Sequence, residues 1–497
     1  MKNSSPSNTS ILIIPIILLL SCSGKPEITE MPNLIMIENQ KEGTEDWVIE
    51  VPYKTCEAPE HQFCRRPQIE GYCSRTSIPA GDTLNIYVST NPVSDFTLNI
   101  YRMGYYGGKG ARLVYSSEVM NGKIQKDPTP DPKTNFFECN WEISKQITIP
   151  EDWVSGVYLG KLTALNDTSQ SYIVFIVKDN RNADFIFQCS DMTWQAYNRW
   201  PYWHSMYDEG HNPWINTDGA KISFDRPYAL YVNLLPSDFN GLSNGSGEFI
   251  LWEYPLAFWM EKEGYDVTYI SNTDTHSNLQ SILRGRAFLS TGHDEYWTKQ
   301  MYDHVAVARD SGVNLLFLSG NSISGVVYLD PSTDGRPGRV TGRLPERYFS
   351  NEPELMGSKS YGVGYTDFVC KAPDHWVFEG TGMKLNDKIP DLVGWEYHGR
   401  PAGNYSDLII LAESSLMPNV FSDENAPNFI SVIYTAPKGN FIFNAGTCWW
   451  VQALSTPPGF QNPVNNQGDN GYKVIDFTEN DERVITMTRN LFRKCVE

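Results

Sequence analysis

Two patterns of apolar and polar positions divide this chain. Between about residues 71 and 178, short runs alternate: TLNIYVST at 83–90, FTLNIY at 96–101, VYLGKLT at 157–163 and SYIVFIV at 171–177, separated by Gly, Pro, Asn and Asp. Alternation of period two sends successive side chains to opposite faces, so these runs predict an N-terminal antiparallel β-sandwich of immunoglobulin-like size. From Ala183 the pattern changes. Short apolar runs at 185–187, 267–270, 286–290 and 313–318 are separated by helically spaced segments at 252–264 and 296–311, the first with Pro255 near its start and Gly264 at its end. Strands alternating with helices predict an α/β fold built on a mostly parallel, helix-covered sheet, Rossmann-like or glutamine-amidotransferase-like. Two further strands at 429–434 and 440–444 flank Pro437-Lys438-Gly439, and 478–494 reads as a last helix. The predicted domains are 69–180 for the sandwich and 181–497 for the catalytic-type α/β part.

The N-terminus follows a different logic. Residues 11–20 are Ile or Leu at nine of ten positions, too short to span a bilayer and suited to a signal peptide. Leu19-Leu20-Ser21-Cys22 follows and looks like a bacterial lipobox, so 1–22 reads as a lipoprotein signal with Cys22 lipidated. Residues 23–68 would be a tether and cysteine-bearing region, and the protein would sit at the cell envelope, held to the membrane by its lipid alone. Eight further cysteines in an oxidising compartment predict disulfides, with Cys56, Cys64 and Cys73 pairing among themselves or with Cys139. With 59 acidic against 40 basic side chains, the formal charge of -19 repels phosphate backbones and excludes nucleic acid as a partner.

Candidate chemistry gathers at strand exits, where open parallel sheets place their sites. The segment LSTGHDEYW, 289–297, puts an imidazole and two carboxylates on the exit of a buried strand. Acids at a helix start have an innocent use as caps, but His293 beside Glu295 fits metal binding or proton transfer. Asp191 to Tyr207 holds three Trp, three Tyr and one His, and Ser223 to Tyr228 with Tyr231 adds more tyrosine. An aromatic plug between domains is one use of such a tract. Another is ligation, because phenolates with a carboxylate suit ferric iron better than zinc or copper. Other chemistries fit poorly. Gly320-Asn321-Ser322-Ile323-Ser324-Gly325 misses the GxSxG elbow by one position, Cys189 lies in a buried strand, and GHDE is not HExxH.

Several motifs in order then carry a resemblance: TWQAYN at 193–198, SFDRPY at 223–228, FILWEYPLAFWMEKEGYDVTY at 249–269, LSTGHDEYW and FNAGT at 443–447. Together they resemble the C-terminal domain of the N,N-dimethylformamidase large subunit and its relatives, while GYCSRTSIPAGDTLNIYVST and IYRMGYYGGKGAR resemble the β-rich domain before it. The likeness spans roughly 69–492. It implies a mononuclear ferric iron held by two tyrosines and one glutamate in an amide hydrolase. Carried over residue by residue, it implies Glu295 as carboxylate ligand and Tyr197 and Tyr228 as the tyrosines, with Tyr231 and Tyr207 in reserve. It further implies His293, Asn321 and Glu396 as catalytic neighbours and leaves Asp294 as the helix cap. The expected function is an exported iron-dependent hydrolase of a C–N bond in a small or surface-derived amide. The chain departs from the family in its lipobox, its cysteine-bearing N-terminal region and the SISGVVY sequence after Asn321, which lacks the aromatic that the resemblance leads one to expect in that loop. The competing reading is a non-catalytic envelope lipoprotein that binds glycan or protein through its sandwich and an aromatic surface.

Overall fold

The computed structural model describes residue 1 and residues 32–50, 65–134, 136–201, 204–207, 221–229, 243–402, 407–417, 427–460 and 480–497. The expectations for Cys22 and its leader, for Cys56 and Cys64, and for Tyr231 lie outside the described residues. Asn33–Glu497 forms one compact unit. No helix among the described residues is long and apolar enough to cross a membrane.

The alternating runs form β1 (Glu70–Cys73), β2 (Ser77–Pro79), β3 (Thr83–Ser89), β4 (Phe96–Met103), β5 (Ala111–Ser116), β6 (Lys145–Thr148), β7 (Gly156–Ala164) and β8 (Gln170–Lys178). They pair into a three-stranded sheet, β1-β3-β6, and a five-stranded one, β2-β8-β7-β4-β5. Leu84, Ile86, Leu98, Ile100, Leu162 and Phe175 meet in one core, each buried side chain contributing ~1.5–3 kcal/mol. The arrangement is not wholly antiparallel, because β2 runs parallel to β8.

The rest of the chain adds β9 (Ala183–Cys189), β10 (Lys221–Ser223), β11 (Val267–Ser271), β12 (Gly285–His293), β13 (Tyr296–Thr298), β14 (Asn314–Gly320), β15 (Gly325–Asp330) and β16 (Val340–Tyr348). Then follow β17 (Lys359–Val363), β18 (Thr366–Val369), β19 (Lys388–Val393), β20 (Glu396–Gly399), β21 (Ile409–Ser414), β22 (Phe429–Thr435) and β23 (Phe441–Asn444). Its longer helices are α1 (Asp191–Tyr197), α2 (Tyr254–Glu263), α3 (Lys299–Ser311) and α4 (Glu482–Val496). The main sheet runs β11-β9-β12-β14-β23-β22-β20-β17, with β21 beside β22. Side chains alternate across it. Phe187, Leu289 and Leu316 enter one core, while Ile186, Phe288 and Leu315 enter the other.

The expected mostly parallel, helix-covered α/β sheet is corrected by this topology. Parallel pairing covers β11, β9, β12, β14 and β23 only, and the sheet continues antiparallel through β22, β20 and β17. A separate four-stranded sheet, β10-β16-β15-β13, and a β18-β19 pair complete a β-rich, mixed architecture. Between β14 and β23 the described chain forms strands, turns and two short helices, Glu352–Met356 and Trp376–Phe378, instead of long crossover helices, and short connections join antiparallel neighbours.

A buried ion pair ties β4 to α2. Arg102 donates through two nitrogens to both Glu261 oxygens at 2.9 Å, and neither side chain is exposed to solvent. Asn39 and Tyr269 donate to the same carboxylate at 2.7 and 3.0 Å. For the described cysteines, Cys73 and Cys139 included, the disulfide expectation is also corrected. Among the described residues Cys73, Cys139, Cys189, Cys370, Cys448 and Cys495 are buried thiols with no disulfide. They pack as small apolar side chains, and burial pushes the thiols of Cys73 and Cys448 up to about 12.

Candidate metal centre

The carboxyl ends of β12 and β14 lie side by side, with His293 paired to Gly320. Both exits depend on glycine. Gly292 adopts φ +64°, and a Cβ there would stand 2.4 Å from the Trp252 carbonyl oxygen. A Cβ on Gly320 would stand 2.2 Å from the Glu396 carbonyl oxygen, so the missing side chain lets β20 cross the exit of β14. The next residue, Asn321, is held at φ +54°. These close approaches bring His293, Glu295, Asn321 and Glu396 to one edge.

Glu295 is the hub. Tyr197, at the end of α1, donates to its Oε2 at 2.5 Å, and Tyr207 donates to Oε1 and Oε2 at 3.2 and 3.3 Å. The two phenol oxygens are 2.9 Å apart. His293 Nε2 lies 2.7 Å from Glu396 Oε2 and 3.5 Å from Glu295 Oε2, and its Nδ1 faces Glu248 at 3.8 Å. One ligand atom each from His293, Glu295 and Glu396 falls within 4.8 Å of the others. Tyr228 is not brought to this cluster. Its ring meets Trp194 edge-on with centroids 6.4 Å apart, and it packs against the opposite core from Tyr197. The reserve residue Tyr207 occupies the place beside Glu295.

Asp294 corrects another expectation. It is fully buried and accepts from Gln188 at 2.7 Å, Ser290 at 2.9 Å and Asn272 at 3.0 Å. The cap of α3 is instead Thr298, which accepts from Met301 N at 3.1 Å. Asp294 therefore pins the turn between His293 and Glu295. Tyr296 and Trp297 belong to β13, paired with Gly325 and Val326, so the helix starts after them.

The electrostatics follow from burial. Burial opposes a charge on His293, but the Glu396 charge and the nearby acceptor oxygens of Glu248, Glu295 and Glu396 outweigh it and hold the imidazole well above its ordinary pKa. Burial raises Glu295 too, yet His293, Tyr197 and Arg343 overcome this and hold it below the usual carboxylate range. Glu396 is raised by burial and the Glu295 charge, and burial brings Glu248 to about 7. Tyr197 and Tyr207 are pushed well above 10, first by burial and then by Glu295. Without a cation both phenols stay protonated, and a hard, highly charged ion is what such a donor set accepts. Oxygens that share one ion at ~2 Å stand roughly 3 Å apart, and the Tyr197, Tyr207 and Glu295 oxygens meet that test.

Sequence reasoning missed Glu248, Arg343 and His398. Glu248 stands one residue before the quoted FILWEY motif, and Arg343 is an ordinary position in a strand. His398 holds the Asn321 loop from behind: Nε2 accepts from Ser322 N at 3.1 Å, so the proton sits on Nδ1, facing Asn444 Oδ1 at 3.0 Å. Burial depresses its pKa to about 4 against ~6.5 for a free imidazole. Below pH ~6.5 the unfolded chain takes up a proton that the folded one refuses, so stability present above that pH is lost as it falls. The loss reaches ~3 kcal/mol near pH 4. Urea unfolding at pH 7 and pH 4.5 checks this, with a smaller acid loss expected for His398→Gln than for wild type.

An oxygen-rich cluster of two phenols and three acids around one imidazole, at the edge of a mixed sheet, defines the class: a β-rich protein with a buried candidate site for a hard cation. The chain belongs to the family described as N,N-dimethylformamidase beta subunit-like, C-terminal, which matches residues 97–466. Among curated relatives, the N,N-dimethylformamidase beta subunit of Alcaligenes sp is 21% identical over 369 residues, covering 58% of this chain and 46% of that protein. That of Paracoccus aminophilus is 21% identical over 411 residues, covering 64% and 52%. The chain thus spans about half the length of the curated relatives it matches. Among solved structures, a family 123 glycoside hydrolase from Clostridium perfringens aligns at 15% identity and a TM-score of 0.12, over 26% of this chain and 32% of that one, too slight a likeness to bear on fold or function.

Proposed function

We propose that this protein is an iron-dependent hydrolase of a C–N amide bond in a small or surface-derived substrate. The observation that carries this reading is the convergence of Tyr197 and Tyr207 on Glu295, with His293 and Glu396 alongside. Tyr197, Tyr207 and Glu295 would hold a single ferric iron, which supplies Lewis acidity toward a carbonyl oxygen. The chain's own residues do the rest. His293 Nε2 lies 2.7 Å from Glu396 Oε2, so a proton held between the two would be placed for the leaving nitrogen. Glu396 receives a proton from water in exchange, and Asn321 stands beside it to orient the carbonyl or the water. In balance, the C–N bond breaks, hydroxyl adds to the carbonyl carbon and a proton goes to the amine.

The competing reading, a lipoprotein that binds glycan or protein through its sandwich and an aromatic surface, is not favoured by the described tryptophans. Trp47, Trp194, Trp200, Trp252, Trp259, Trp297, Trp449 and Trp450 are fully buried, and among the described residues the exposed large aromatics are Tyr348 and Tyr361 alone. The test of the proposal is a hydrolysis screen of the iron-loaded full chain against small formamides and acetamides, following amine release. Activity that disappears in His293→Gln while iron stays bound is expected. No release from any amide by the iron-loaded protein would contradict the amidase reading.

A further inference from the structure

Resting on the iron site of that reading and not on the reaction, we infer that Arg226 is a positioning residue for both tyrosine ligands, stapling the chain between Tyr197 and Tyr207 from within and so setting their spacing. In the SFDRPY motif the tyrosine stands apart from the cluster, and it is the arginine that reaches the stretch carrying the two ligands. Arg226 is 1% exposed. Its Nη2 donates to the Gln195 carbonyl oxygen at 3.0 Å, and its Nη1 donates to those of Trp200, at 2.8 Å, and His204. Its Nε donates to the Ser223 carbonyl oxygen at 3.0 Å and to Gln195 Oε1 at 3.2 Å. Gln195 stands two residues before one ligand, and His204 stands three before the other.

The neck of the same stretch is closed by Met206 N, which donates to Ala196 O at 2.9 Å. That bond joins the residues immediately before each tyrosine, and the phenol oxygens stand 2.9 Å apart. A guanidinium suits the place inside because its flat fork sends donors in three directions, whereas an ammonium is a point donor. Without the fork, buried main-chain oxygens would need other partners, and the chain would shift to find them. The motif is itself anchored on its far side. Asp225 accepts from Arg336 and Arg339 at 2.8 Å, and Ser223 ends β10, which pairs with β16. Asn198 adds a second tie: its Nδ2 donates to Pro227 O at 2.9 Å, and its Oδ1 accepts from Ala229 N and Trp200 N at 3.0 and 3.2 Å. The tyrosine pair is thereby placed by the protein's own hydrogen bonds, so an ion does not have to order it.

The test is the ferric affinity of the full-length protein, measured by competition with nitrilotriacetate and read together with the tyrosinate-to-iron visible band. Arg226→Lys keeps a cation but not the fork. It should lower the affinity ~10–100-fold and weaken the band per bound iron, with circular dichroism unchanged. Asn198→Ala should lower both by a smaller factor. If Arg226→Lys does not fold, Asn198→Ala decides, and wild-type affinity and band in that variant overturn the staple. Folded Arg226→Lys with wild-type affinity and band overturns the staple and leaves the iron site standing. Iron-loaded wild type that hydrolyses no amide overturns the amidase reading alone, and wild type that takes up no iron overturns the site and the staple together.

Discussion

Replacing Glu295 with alanine is expected to lower iron retention by ~100-fold or more and to bring amide hydrolysis to background. Outer hydrogen-bond partners of a metal site are commonly worth 10–100-fold in affinity or activity, so loss of the shared central ligand should reach at least the top of that range. The geometry explains why this carboxylate matters more than its neighbours. Both phenols donate to it, His293 stands 3.5 Å away, and the Arg343 charge helps keep it ionised. Glu295→Gln separates charge from shape: it fills the same space but offers neutral donors and acceptors, and it too should lose the metal. Metal analysis of desalted protein, with circular dichroism as a check on folding, measures both variants. Full iron content in either would remove Glu295 from the ligand set.

The largest expected effect on stability lies away from the site. Glu261→Ala should destabilise the protein by ~3–5 kcal/mol, because it leaves the fully buried Arg102 guanidinium without its counter-charge. Tyr106, Met103 and Ser155 still accept from Arg102 at 3.0, 3.1 and 2.8 Å, but they are neutral. The double variant Arg102→Met/Glu261→Leu should recover most of the loss, since replacing a buried pair with apolar side chains is often neutral. Urea denaturation of the single and double variants measures the coupling. A loss below ~1 kcal/mol in Glu261→Ala would show that the pair is not what joins β4 to α2.

Several elements were visible in the sequence because their signals are local. The alternation at 83–90 and 96–101 yields β3 and β4, the apolar runs at 267–270 and 286–290 yield β11 and β12, and Gly264 closes α2 in the left-handed conformation. What stayed hidden depends on pairing partners. Tyr296 and Trp297 look like the first turn of a helix, but Gly325 and Val326 claim them for a strand. The strands β17 and β20 are short, and with β22 they turn the main sheet antiparallel through contacts far apart in sequence. At the site, the GHDE segment shows which chemistry is present but not how its acids divide. Asp294 is pinned by Gln188, Asn272 and Ser290, contributed by other parts of the fold. The choice between Tyr207 and Tyr228 is of the same kind, because a phenol's direction is set by the path of the chain after α1.

The central claim, one ferric iron held by Tyr197, Tyr207 and Glu295, is tested most directly by metal analysis and visible absorption of wild-type protein purified after iron-replete expression. The account predicts close to one iron per chain and a visible band that weakens sharply in both Tyr197→Phe and Tyr207→Phe. Colourless, iron-free wild-type protein, or a band untouched by the two substitutions, would contradict it.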